Sequence, residues 1–169
     1  MTFAHALTQS FNPALNPSGV YRFSDTAYSG PILTTITDFG WHAGYINGRL
    51  VNDKQTFLDA AGQALAFPGY YGRNWDAFEE MVNDLSWLGL RAAEQDSGVE
   101  RDIACSVGCV LLYDEANRFA TAQAKQWQTA LTILQSASFR WQQERVAFYV
   151  LLRQSRHWNR QLPQLRLLD

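Results

Sequence analysis

Phe67-Pro68-Gly69-Tyr70-Tyr71-Gly72-Arg73-Asn74-Trp75-Asp76-Ala77-Phe78-Glu79-Glu80 is the densest stretch of this 169-residue chain. Pro68 with Gly69 and Gly72 shapes a tight loop, and Asn74 is a good N-cap that starts a helix at once. Phe78, Met81, Val82 and Leu85 recur at i, i+3, i+4 and i+7, the stripe of a helix with one buried face. Asp76, Glu80 and Asn83 then fall on the opposite side, with Glu79 on the flank. Two readings of the acids are open here. Acids in a first turn complement the helix dipole, which accounts for Asp76 and less well for Glu80, since like charges at i,i+4 repel. Alternatively, Tyr70 and Tyr71 beside a row of carboxylates form a surface that engages a basic cleft.

Outward from this block, the chain alternates strands and helices. Trp41 to Ile46 reads as a strand ended by Asn47-Gly48. Asn52 and Gln55 fit a capping box, and Phe57, Leu58, Ala61 and Leu65 predict a helix over 53–66. Gly62 in its interior signals close packing or local weakness. Val107 to Tyr113 and Val146 to Leu152 are strands apolar on both faces, separated by a long helix over about 121–141. Residues 89–104 read as a loop. The pattern predicts an α/β fold with a small three-stranded parallel sheet and flanking helices. Residues 1–40, with a short strand at Val20 to Phe23 and a helix from Ile32 to Phe39, read as an extension or small subdomain, and 153–169 as a tail. The tail's Leu162, Leu165, Leu167 and Leu168 pack either on the body or on a second subunit.

Composition excludes several function classes. The chain is 47 % apolar and 18 % charged, with a net charge of -2, so it is globular and has no whole-chain drive toward nucleic acid or anionic membrane. Ten acids against two Arg lie between Asn74 and Glu115, and six Arg against two acids between Arg140 and Asp169. The acidic middle is either a solvated surface or a face for a basic partner. Cys105 and Cys109 lack the further ligands of a zinc site and read as reduced small hydrophobes. The chain carries no P-loop, GxSxG, HExxH or dinucleotide fingerprint, and its three histidines are scattered. No catalytic centre, metal or cofactor is therefore expected, and the absence of a leader or long apolar run points to the cytoplasm.

The Pro-x-Tyr-Tyr-Gly-x-Asn-x-Asp-Ala pattern, with Tyr45-Ile46-Asn47-Gly48 before it and the later strand, helix and strand after it, resembles the barstar family of intracellular ribonuclease inhibitors. The resemblance spans about residues 41–152, and the first 40 residues resemble the extension of longer bacterial members. It implies an immunity or antitoxin-like protein that blocks the active-site cleft of a basic ribonuclease with its acidic helix and Tyr-rich loop. By the same resemblance, Tyr70 packs against the enzyme, Asp76 and Glu80 stand at the two important acidic positions, and Gly72 and Asn74 hold the loop and helix start. The partner-binding set is thus Tyr70, Tyr71, Gly72, Asn74, Asp76, Glu79 and Glu80. This sequence departs from the family's pattern at Glu80, which replaces Asp, at Glu79, which replaces Trp, and at Arg73, which replaces an acid. Those departures leave a second reading open, a barstar-fold interaction module whose partner is not a guanyl-specific ribonuclease. A further reading assigns binding to the Arg-rich tail, which also carries a possibility of self-association.

Overall fold

A computed structural model describes residues 1–93, 103–153 and 161–168. The predicted loop at 89–104 and the tail residues Arg156, His157 and Arg160 fall partly or wholly outside those described residues.

The strands are β1 (Gly19–Arg22), β2 (His42–Asn47), β3 (Cys109–Asp114) and β4 (Phe148–Arg153). They form one parallel sheet in the order β1-β4-β3-β2. The sequence predicts a three-stranded sheet with the short strand at Val20 to Phe23 outside it, whereas the described residues form a four-stranded sheet that takes this strand in. Gly19–Arg22 lies beside β4, about 130 residues on in the chain, and such a long-range pairing leaves no local trace. The helices are α1 (Phe3–Ser10), α2 (Ser29–Asp38), α3 (Lys54–Ala64), α4 (Trp75–Asp84), α5 (Asn117–Ala122) and α6 (Ala124–Gln143).

Both inner strands are buried on both faces, as their apolar runs require. Cys109, Leu111 and Tyr113 of β3 and Phe148, Val150 and Leu152 of β4 face a core filled by α3, α4, α5 and α6. Val110, Leu112, Tyr149 and Leu151 face a second core with Leu7 and Phe11 at the N-terminus and Ile32 and Ile36 of α2. Phe11, Trp41 and Tyr149 cluster there, with Phe11 and Tyr149 centroids 4.9 Å apart. Residues 1–40 therefore supply one strand of the sheet and much of the packing on this face. The tail returns to the same region: Leu162 and Leu165 are buried in the chain's own cores, while Leu168 stays exposed.

Local chemistry corrects two further expectations. The cap of α3 is Asp53, not Asn52, and its capping box uses Thr56: the Thr56 N–H donates to Asp53 Oδ1 at 2.8 Å, and Asp53 N–H donates to Thr56 Oγ1 at 3.2 Å. Asn52 also donates its N–H to Thr56 Oγ1, so the two candidates share one acceptor. The helix expected over 121–141 is two helices, broken at Gln123, whose backbone leaves the helical region at φ -142° and whose side chain takes the Lys54 N–H.

The hydrogen bonds from the Thr56 backbone and hydroxyl hold the Asp53 carboxyl below its ordinary range. Its folded value lies under the unfolded one, so its contribution is complete above the unfolded value near pH 4 and disappears as pH falls through the lower, folded value. Asp53→Ala is expected to lower the melting temperature at pH 7, and the two proteins' melting curves should converge as pH drops through that window. A gap that persists undiminished in acid would contradict the capping role.

Candidate functional site

The loop 67–73 is built on α3. Tyr71 lies half-buried with its ring against Gly62, where an added Cβ would come within 2.9 Å of it. Its hydroxyl donates to Leu58 O at 3.3 Å, and its ring meets Phe67 edge-on at 4.8 Å. Burial, with the Asp59 carboxylate nearby, pushes its phenol well above the usual range, so it stays neutral. Gly62 is thus a close-packing position, and its cost in helix propensity is offset by letting the loop seat flat. Of the two tyrosines only Tyr70 stands free, with 73 % of its surface exposed. Arg73, at φ +52°, turns the chain into the helix and reaches Asp59 at 3.5 Å.

Asn74 then caps α4, its Oδ1 accepting from Ala77 N–H at 2.8 Å and its amide donating weakly to Gly72 O. Asn74 and Gly72 are exposed yet engaged with each other, which fixes where the helix begins. Phe78, Met81 and Val82 are buried, and Leu85 closes the helix in the left-handed region at φ +46°. Phe78 meets Phe57 edge-on at 5.4 Å, anchoring α4 to α3. With one face so fixed, the other is set. Asp76, Glu79 and Glu80 are all exposed, as is Asp84 one turn on. Among the described residues none of these four carboxylates has an ion-pair partner.

The structure brings Tyr70, Gly72, Asn74, Asp76, Glu79 and Glu80 to one surface at the start of α4, with Tyr71 beneath the loop. Asn83 behaves differently from its helical position. Its amide donates to Glu79 O at 2.8 Å and its Oδ1 accepts from Arg140 Nε at 3.0 Å. Arg140 also pairs with Glu144 and lies over the Trp141 ring, 4.5 Å from its centroid. A cation on α6 therefore borders the acidic row, and sequence spacing gives no sign of it because it lies 57 residues away. Trp75 likewise faces α6, donating from Nε1 to Gln126 Oε1 at 2.9 Å.

A second polar region lies at the carboxyl ends of the strands. Arg153 grips Asp114 with two hydrogen bonds of 2.7 and 2.8 Å, and Tyr45 donates to the same carboxylate at 3.0 Å. Arg153 also donates to Ala27 O, tying the extension's loop to the sheet. Glu115 is shared by Arg49 and Arg118, whose hydrogen bonds hold its carboxyl below the usual range against the effect of burial. These charges satisfy one another. Among the described residues no cluster of His, Cys, Asp and Glu could hold a metal ion, and no helix is long and apolar enough to cross a membrane.

The fold overlays on a chain from a structure titled "Structure of Drosophila ORC bound to DNA" with a TM-score of 0.47 and 15 % identity, covering 94 % of this chain and 44 % of that one. The chain thus spans less than half the length of that protein. No curated protein matches it. The family model described as Barstar (barnase inhibitor) matches residues 41–153, from the start of β2 to the end of β4, and the chain belongs to the barstar family.

Proposed function

We propose that this protein is an intracellular inhibitor of a basic ribonuclease, acting as an immunity or antitoxin-like partner that fills the enzyme's active-site cleft with the α4 surface. The observation that supports this reading is the row Asp76, Glu79 and Glu80, exposed and without ion pairs among the described residues, on a helix anchored from behind by Phe78, Met81 and Val82. A ribonuclease must hold cations near the scissile phosphate, and carboxylates fixed in place can occupy those cations as the phosphate does. Asp76 and Glu80 take that role. Tyr70 supplies contact area that loses little entropy on binding, and Tyr71, Gly72 and Asn74 keep the loop and helix start in register.

Arg73 and Glu79 favour a partner whose cleft differs from that of the guanyl-specific enzymes, with more positive charge facing Glu79 and a recess deep enough for the longer Glu80. The test is a titration of the protein into ribonucleases of both kinds while RNA cleavage is followed. Cleavage falling linearly to zero at one inhibitor per enzyme is the expected result for at least one of them. Undiminished cleavage at large excess across a panel that includes the source organism's own basic ribonucleases would overturn the reading.

A further inference from the structure

The sheet has two edges, and the chain treats them differently. On the β1 side the tail pairs with the edge at Arg22: its N–H donates to Pro163 O at 2.7 Å, and Leu165 N–H donates to Arg22 O at 2.9 Å. On the other side β2 pairs with β3 alone among the described strands. His42 N–H donates to Gly108 O at 2.9 Å, which sets the alternation of the ladder. His42, Gly44 and Ile46 aim their backbone groups at β3, so Ala43 and Tyr45 aim theirs outward. The strand His-Ala-Gly-Tyr-Ile-Asn contains no Lys, Pro or acid, the residues by which proteins blunt an open edge. A groove of about 350 Å³ runs beside it, lined by apolar Tyr45, Leu50 and Val51 and by polar Asn47, Asp59 and Gln63, and Leu50 is 73 % exposed.

The geometry points to a second copy of this chain as the occupant: two β2 strands pair antiparallel about a two-fold axis at Gly44, joining two four-stranded sheets into one of eight. The strand suits itself in this register. Outward-facing Ala43 of each copy meets outward-facing Tyr45 of the other, giving backbone hydrogen bonds on both sides of the axis. No charged side chain in the strand opposes its like. The flanks carry opposite charge, because the axis brings the corner beyond β2, where Arg49 is 70 % exposed while bonding Glu115 through Nε, toward the corner before β2, where Asp38 is exposed. Asp38 has no ion pair among the described residues. No residue of α4 takes part, so this pairing stands apart from the ribonuclease reading.

The test is sedimentation of the full chain over a range of concentrations, with amide exchange read at Ala43 and Tyr45. The expected result is a rise from the 19.2 kDa monomer toward twice that mass, with exchange at both amides slowing in step. Arg49→Asp should raise the dissociation constant about fivefold, and adding Asp38→Arg should recover it, on the scale of surface ion pairs. A monomer at every concentration overturns the proposal. So does a dimer in which Ala43 and Tyr45 exchange at the monomer's rate, a readout on the native chain that holds even if a variant misfolds.

Discussion

Asp76→Ala with Glu80→Ala is expected to abolish inhibition at concentrations where the native protein inhibits fully. Both carboxylates are exposed and have no ion pair among the described residues, so on the proposed reading the loss falls on binding. Truncating charges that become desolvated against a cationic cleft costs several kcal/mol, and the pair together should cost at least about 4 kcal/mol, roughly a thousandfold in Kd. The fold should barely register the change. Losing Asp76 from the first turn removes a favourable dipole contact of about 0.3–1 kcal/mol, and relieving the i,i+4 repulsion with Glu80 returns a few tenths of a kcal/mol. Isothermal titration beside a melting curve separates the two. A double variant that binds like the native protein would move the interface off α4.

The second large effect falls on the fold. Gly48 follows β2 directly and packs against the end of β3, where an added Cβ would lie 2.0 Å from Asp114 O and 2.6 Å from Glu115 O. Both obstacles are backbone atoms at the end of a central strand, so no side-chain rotamer relieves the clash. Gly48→Ala should therefore destabilise by about 3–5 kcal/mol, in the range of severe overpacking, and leave a protein this size close to unfolding at room temperature. Gly69→Ala is the matched comparison, since open space surrounds that position and its stability should stay within about 1 kcal/mol of native. Urea denaturation of both variants measures the difference. Equal midpoints for the two would contradict the packing at the β2–β3 mouth.

These two sites differ in how far the sequence reveals them. The α4 surface is legible because its determinants are local: Asn74 caps the helix, the Phe78, Met81, Val82 and Leu85 stripe sets its buried face, and the carboxylates follow by rotation. The Asn47-Gly48 turn is also legible, but the reason Gly is needed there is not, since Asp114 reaches it only through the β2–β3 pairing. The same limit explains the fourth strand. Val20 and its neighbours read as a short strand, yet nothing within residues 1–40 shows that β4 is its partner. The N-terminal helix α1 is not legible for a different reason: eight residues with buried Leu7 and Ser10 give too short a period to stand out. At the site, spacing alone turns Asn83 outward with the acids. The structure engages it with Arg140, and it leaves Tyr71 as a support beneath the loop while Tyr70 takes the surface.

Competition with a mononucleotide tests most directly whether α4 enters a nuclease cleft. A responsive ribonuclease is held with increasing concentrations of a 3′-nucleotide, whose phosphate occupies the catalytic cations, and binding of the native protein is measured at each. If Asp76 and Glu80 take the phosphate's place, the apparent Kd rises in proportion to nucleotide concentration once the cleft is saturated. Binding that is indifferent to a fully occupied cleft would place the contact away from the active site and contradict inhibition by occlusion.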